Sequence, residues 1–364
     1  MKVQRVVMPA SESVSWTIVD DDGFVVDAVE DYLAYLAAIE RSPTTVRAYA
    51  FSLKLWMEFL VARAVPWQEA GVDDVAGFVA WLRCPADNVI VIDGSAVRLA
   101  PATVNRHLAG LFGFYDYQAR AGVELSSKLV AWRAGGRRSY KPFLDHVTKG
   151  RPVRARPIKL KVPKKVPATL TVVEIRAVLG ACEHLRDQFL FALLAETGMR
   201  IGQALGLRHA DFVSRKRELR IVPRGDNANG ARAKCRQEVV VPVSTGLVRL
   251  YSEYMHVEYG SLDSDYVFVN LWGRPLGRPL SYVAVNGLVH RLRARTGIFF
   301  TPHMLRHSHA TELIRQGVPI EVVSKLLTHR SVATTSETYV HLSADDARAE
   351  LVRAGVWADP EAGG

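Results

Sequence analysis

Toward the carboxyl end of the chain, His303, Arg306, His329 and Tyr339 follow one another at short intervals, and Arg200 and Lys234 stand in a separate segment upstream. These residue types suit the chemistry of a phosphodiester. That group is anionic, and a nucleophile reaches its phosphorus only where cations over the non-bridging oxygens neutralise the charge that grows in the transition state. Arginine meets the need because its planar fork is permanently charged and holds two oxygens at once. A free tyrosine hydroxyl has a pKa of about 10, so at neutral pH it attacks only with an acceptor for its proton and a positive setting around it.

The spacing indicates which elements must carry these groups. Thr301 and Pro302 read as the cap and first position of a helix. His303 and Arg306, three apart, then share one face of its first turn, where free backbone N–H groups favour an anion. Such a pair is common on helices, and its company is what distinguishes it. A second amphipathic run (Ile320, Val323, Leu326, Leu327) leads into Thr328 and His329, with Tyr339 ten residues further on. Upstream, Arg200 lies just past Gly198, which reads as the end of another helix. Between the two groups, residues 218–222, a turn containing Gly225, Asp226, Asn227, Asn229 and Gly230, and residues 238–243 have a strand, turn, strand pattern.

On these residues the chain resembles the tyrosine recombinases, the family of phage integrases and related site-specific recombinases. Arg200 after Thr197-Gly198 matches the family's first box; His303, Arg306, His329 and Tyr339 match its second. The resemblance implies a lysine on a β-hairpin between the boxes, and Lys234, just after the turn glycines, is the first choice, with Arg232 and Arg236 as stand-ins. It also implies roles: Tyr339 as nucleophile, His303 as base, Arg200 and Arg306 on the non-bridging oxygens, His329 as a further donor, and Lys234 protonating the leaving 5′ oxygen. Three departures stand out. Thr328 occupies a position usually glycine, Gln203 one that is usually acidic, and the step from His329 to Tyr339 is one residue longer than usual. Within the family, the opening residues 1–23 with Asp20, Asp21 and Asp22, the stretch 41–49 and the segment 140–144 most resemble the transposase A branch of site-specific transposons.

The elements that must position such a site fit a two-part chain. A length of 364 residues and an apolar fraction of 49% allow two cores. Residues 1–23 read as an N-terminal extension. Residues 24–132 read as helical throughout, with helices over 28–39, from Pro43, over 73–82 and from Pro101. The aromatics of these helices read as core. The net charge of +10 is concentrated in residues 133–165, where twelve Lys or Arg face the single acid Asp145. Five prolines between Pro142 and Pro167 oppose a helix there, so residues 133–168 read as an extended basic linker that lies along a phosphate backbone without reading sequence. Arg151, Arg154, Arg156 and Lys159 are its candidate contacts, and the resemblance implies further contacts by Arg47 and Arg106 on the helical domain.

Residues 169–364 read as the catalytic domain. Thr171 and Glu174 form a capping box, helices alternate with the hairpin, a short strand is expected over 266–269, and a last amphipathic helix over 344–354. The expected fold is therefore mainly α with a small antiparallel β-sheet: a helical, SAM-like core-binding domain followed by a tyrosine-recombinase catalytic domain.

Cys84, Cys182 and Cys235 lack the spacing of a disulfide framework or a thiolate zinc site. A metal held by His303, His307, His309 and Glu312 is the alternative within chemistry, but His303 and His309 face apart on a helix. No cofactor or metal is expected. The start of the chain lacks a signal-peptide core and no run approaches a membrane span, which points to a cytoplasmic protein. The implied partners are double-stranded DNA, further copies of the chain as a tetramer in a synaptic complex, and other transposition proteins. Two rival readings keep part of the pattern: a type IB topoisomerase-like enzyme shares the tyrosine chemistry, and a site-specific DNA-binding protein without catalysis shares the charge.

Overall fold

A computed structural model of the chain describes residues 1–7, 14–84, 99–125, 129, 131–133, 153–155, 158–163, 167–233 and 237–328, with 131–133 and 153–155 described by backbone alone. The chain divides into two compact units, Met1–Lys164 and Lys165–Gly364. None of the described helices is long and apolar enough to cross a membrane.

The first unit is built on four helices whose apolar residues recur at three- and four-residue intervals. In α1 (Asp27–Ala38) the buried face is Val29, Tyr32, Leu33 and Leu36. Helix α2 (Pro43–Ala62) starts where Ser42 accepts the Thr45 N–H at 3.2 Å and Pro43 takes the first position, a place with no intrahelical use for its missing N–H. α3 (Val72–Arg83) and α4 (Pro101–Arg120) complete the bundle. Its centre is aromatic. Trp56 is fully buried and donates from Nε1 to the Tyr115 hydroxyl at 3.1 Å, which in turn donates to the Trp67 carbonyl at 2.7 Å, so both polar ends are satisfied inside the core. Burial pushes the Tyr115 hydroxyl far above its ordinary pKa.

Two stretches flanking the expected helices carry strands. In residues 1–23, β1 (Lys2–Val7) and β2 (Val14–Val19) pair antiparallel, Lys2 opposite Val19 and Val7 opposite Val14. Ile18 is fully buried in the helical core, with Met1, Val3 and Trp16 packed partly against it, and that apolar anchor binds the hairpin to the unit. The basic stretch is also structured in part. β3 (Ala131–Arg133) pairs antiparallel with β4 (Val153–Ala155), setting Trp132 opposite Arg154. Further on, Asn105 of α4 donates to the Leu160 carbonyl and accepts the Leu160 N–H, both at 2.9 Å, while Ile158 and Leu160 pack against the bundle.

The second unit surrounds α6 (Leu185–Thr197), which buries Phe189, Leu190, Phe191, Leu193 and Leu194 and so is apolar nearly all round. α5 (Val172–Gly180) precedes it, opened by the Thr171–Glu174 capping box, in which Thr171 Oγ1 accepts the Glu174 N–H at 3.2 Å and Glu174 accepts the Thr171 N–H at 2.7 Å. The short α7 (Ile201–Leu205) follows. A three-stranded antiparallel sheet comes next, in the order β5 (Phe212–Val213), β6 (Glu218–Ile221), β7 (Val239–Pro242), with Leu219 opposite Val241. Helices α8 (Thr245–Tyr254), α9 (Tyr282–Thr296), α10 (Pro302–Arg315) and α11 (Ile320–Leu326) close the unit.

The strand expected at 266–269 is instead a buried, irregular run. It makes isolated bridges, Arg208 with Tyr266 and Val269 with Pro279, rather than a ladder. Val267, Phe268 and Val269 are buried on every side, so their apolar character reports burial and not strand pairing. The helix expected over 344–354 lies outside the described residues.

Candidate functional site

Two turns of the second unit meet around one buried arginine. The first is the Thr197-Gly198-Met199-Arg200 junction between α6 and α7. Gly198 ends α6 with φ +60°, a left-handed conformation that costs a residue with a Cβ about 1–2 kcal/mol. A Cβ there would also lie 2.6 Å from the His309 ring and 2.8 Å from Leu327, so packing and backbone both require glycine. The second turn follows α11, where Leu327 caps the helix and Thr328 adopts φ +53°, a strained value for a β-branched residue.

Arg306, on α10, ties these turns together. It is 2% exposed, donates from Nη1 to the Gly198 carbonyl at 2.7 Å and from Nη2 to the Leu327 carbonyl at 2.6 Å. The helix that carries it starts as its sequence predicts, with Thr301 Oγ1 accepting the Met304 N–H at 3.2 Å and Pro302 in the first turn.

Arg200 stands at the N-cap of α7. Its Nη1 donates to Thr328 Oγ1 at 2.9 Å and lies 3.4 Å from the Thr328 carbonyl. Its backbone N–H is received by Gln203 Oε1 at 2.7 Å, and Gln203 Nε2 donates to the same Thr328 hydroxyl at 3.0 Å. In the linear order Gln203 and Thr328 stand out only as departures from a pattern. Folded, they form one hydrogen-bonded unit with Arg200, a link across 125 residues that sequence spacing does not display.

His303 lies exposed on the same helix as Arg306. Its ring packs edge-on against His307, with centroids 4.3 Å apart. Burial, reinforced by the positive charge of His303 and Arg306, pushes His307 down to about 4. His309 is likewise pushed down to about 4, by burial first and Arg306 second, against a raising contact with the Ala195 backbone. Both are therefore neutral near pH 7. Sequence reasoning misses His307 as a partner of His303; the i, i+4 spacing on one helix face is the available signal.

The hairpin reaches this region through its turn. Asn229 Nδ2 donates to the Leu205 carbonyl and the Leu280 carbonyl, both at 2.9 Å, Asn227 Nδ2 donates to the Ala231 carbonyl at 2.8 Å, and Arg224 grips Asp211 with two bonds of 2.6 and 2.7 Å. These side chains pin the segment leading to Ala233 beside α7, where the Arg232 carbonyl would meet a Gly202 Cβ at 2.7 Å. Arg232 itself is exposed. Lys234 and Arg236 lie outside the described residues, as do His329, directly after Thr328, and Tyr339. Among the described residues, no cluster of three or more His, Cys, Asp or Glu side chains could hold a metal ion.

The candidate nucleic-acid contacts of the first unit are exposed. Arg47 stacks over Trp16 at 5.0 Å and lies 5.6 Å from the Phe51 ring centre; Arg106 projects from α4 beside the buried His107; Lys159 is exposed in the segment docked by Asn105. Arg154 lies on β4, described by backbone alone, and Arg151 and Arg156 lie outside the described residues.

Comparison with known proteins matches the chain to a family. Residues 168–346 match the phage integrase family and residues 29–122 the phage integrase N-terminal SAM-like domain. Over 353 residues, the chain is 40% identical to transposase A from transposon Tn554 of Staphylococcus aureus, covering 96% of this chain and 97% of the relative. It is 26% identical over 291 residues to tyrosine recombinase XerD of Lacticaseibacillus casei, covering 74% of this chain and 85% of that one. In fold it is similar to the integrase of transposon Tn1549 in complex with a circular intermediate DNA (TM-score 0.62, 15% identity, 90% and 99% of the two chains). A second likeness is to a lambda integrase dimer bound to a COC′ core site (TM-score 0.58, 14% identity, 86% and 94% covered).

Proposed function

The chain belongs to the phage integrase family of tyrosine recombinases, DNA strand-transferring enzymes, and we propose that it is a site-specific recombinase that moves a transposable element by cutting and rejoining DNA. Tyr339 is the nucleophile. Its oxygen attacks the phosphorus, its proton passes to His303, and the P–O bond to the 5′ oxygen breaks, leaving a 3′-phosphotyrosine. Lys234 supplies the proton that the departing 5′ oxygen needs. In the second step a 5′ hydroxyl from another strand attacks the phosphotyrosine, and the tyrosine leaves. The link preserves the phosphodiester bond energy, so the cycle calls for no nucleotide cofactor.

Arg200 and Arg306 hold the non-bridging oxygens and His329 donates to one of them. The observation that most supports this reading is the joining of the Arg200 turn and the turn before His329 by the buried Arg306, which gathers three separated segments at one point. Preorganised cations of this kind are the largest single contribution to such a reaction. Residues 24–132 supply the first DNA-binding surface, including Arg47 and Arg106; the basic residues 133–168, with Arg151, Arg154, Arg156 and Lys159, add backbone contacts; residues 169–364 carry the chemistry. The partner is double-stranded DNA, bound by four copies in a synaptic complex, with other transposition proteins assisting in the cytoplasm.

A nicked suicide substrate tests this. The wild-type protein is expected to accumulate a covalent adduct, and Tyr339→Phe to form none while binding the same duplex with nearly unchanged affinity. An adduct in the Phe variant, mapped to another tyrosine such as Tyr282, would overturn the assignment.

A further inference from the structure

The reaction above makes no use of Thr328 and Gln203, and their hydrogen bonds leave little freedom. The Gln203 amide oxygen receives the Arg200 N–H at 2.7 Å, which forces its NH2 toward Thr328, where it donates at 3.0 Å. Arg200 Nη1 donates to the same hydroxyl oxygen at 2.9 Å. A hydroxyl has two acceptor lone pairs and one proton. With both lone pairs engaged by N–H donors, the Thr328 hydroxyl must direct its proton elsewhere, and among the described residues no acceptor receives it. The residue is also held at φ +53°, where a β-branched side chain is strained and glycine would not be, so a side chain there is retained against the backbone's preference.

We propose that the Thr328 hydroxyl, oriented by Gln203 and Arg200, is a further donor to the phosphate oxygen that Arg200 holds. The inference rests on the placing of Arg200 at the phosphate. Gln203 is the positioning residue in this arrangement. A glutamate in its place would still accept the Arg200 N–H, but its second oxygen could only accept from Thr328, turning the hydroxyl proton inward and away from substrate; it would also offset part of the Arg200 charge. A neutral amide at position 203 and a hydroxyl at position 328 are therefore one device.

The test compares Thr328→Gly, Thr328→Ser, Gln203→Glu and Thr328→Gly/Gln203→Glu in single-turnover adduct formation on the nicked duplex. Loss of one donor to a charged acceptor predicts a roughly 10- to 100-fold slower rate for Thr328→Gly. Its DNA affinity is expected to be unchanged and its melting temperature not lowered, because glycine relaxes the strained turn. Thr328→Ser is expected to restore most of the rate. Gln203→Glu should slow the reaction to a similar degree, and the double variant should be no slower than the slower single, as for residues acting as a unit. Substituting sulfur for each non-bridging oxygen in turn adds a readout that a purely structural role would not move: the wild-type preference between the two diastereomers should shrink in Thr328→Gly. Wild-type rates in Thr328→Gly, or equal losses in Thr328→Ser and Thr328→Gly, would overturn the proposal. Arg200→Lys in the same series separates the two levels, since an undiminished rate there would remove the underlying placing of Arg200 instead.

Discussion

The candidate-site arginines of the two units live under opposite conditions. In the first, Arg47 and Arg106 are exposed, and Arg47 rests its guanidinium over Trp16. In the second, Arg306 is 2% exposed with its fork on two main-chain carbonyls, and Arg200 is clasped by Thr328. An exposed cation keeps its hydration, is screened by salt, and contributes a modest, additive attraction to any duplex. A buried one has already lost its water and its rotamer freedom, so its contribution is larger and depends on geometry. On the proposed reading, the same residue type supplies general affinity in one unit and directed stabilisation in the other.

The largest expected effect tests the buried side. Arg306→Lys and Arg200→Lys keep the charge and lose the fork, and each should slow cleavage by at least ~100-fold. They should differ in stability. A lysine ammonium in place of the Arg306 fork can reach one of the two carbonyls at most, so Arg306→Lys is expected to cost about 2–4 kcal/mol in denaturant unfolding, whereas Arg200→Lys at its part-buried position should cost less than half of that. Near-normal cleavage by both variants would erase the contrast.

The basic stretch predicts a different signature. Neutralising Arg151, Arg154, Arg156 and Lys159 together should weaken specific and random duplexes about equally. The slope of log affinity against log salt should flatten by roughly one unit for each phosphate contact removed. A loss confined to the specific site would mean that these side chains read bases or shape; an unchanged slope would mean that they face solvent.

The smallest effect is a pH dependence. His307 and His309 have ordinary values of 6.5 and are pushed down to about 4 in the folded protein. An unfolded chain therefore takes up protons that the folded one refuses. The stability they contribute is complete above pH 6.5 and is lost progressively as the pH falls toward 4. Calorimetry from pH 7 to 5 should show the transition of the second unit falling by a few degrees, and His307→Gln/His309→Gln should flatten that dependence. An equal slope in the double variant would assign the acid sensitivity to other groups.

Much of this arrangement is legible in residue order because it depends on local rules. Ser42-Pro43, Thr171-Glu174 and Thr301-Pro302 each announce a helix start, since capping and the missing proline N–H act within one turn. Gly225 to Gly230 announce the hairpin turn for the same reason. The N-terminal hairpin is not legible: its strands are held by Ile18 entering a core that the following helices form only on packing together. The run at 266–269 misleads because a fully buried irregular segment and a buried strand have the same apolar composition.

By itself, the sequence determined the family and the helix starts that carry candidate site residues such as His303 and Arg306, because motif spacing and capping are short-range. Only the tertiary structure decided that Arg306 would span the Gly198 and Leu327 carbonyls, and that Gln203 and Thr328, two separate departures in the linear order, would meet at one hydroxyl beside Arg200. The physical reason is that a hydrogen bond is fixed by position and direction in space, to a few tenths of an ångström. Residues more than a hundred positions apart acquire that relation only once α6, α7, α10 and α11 have packed.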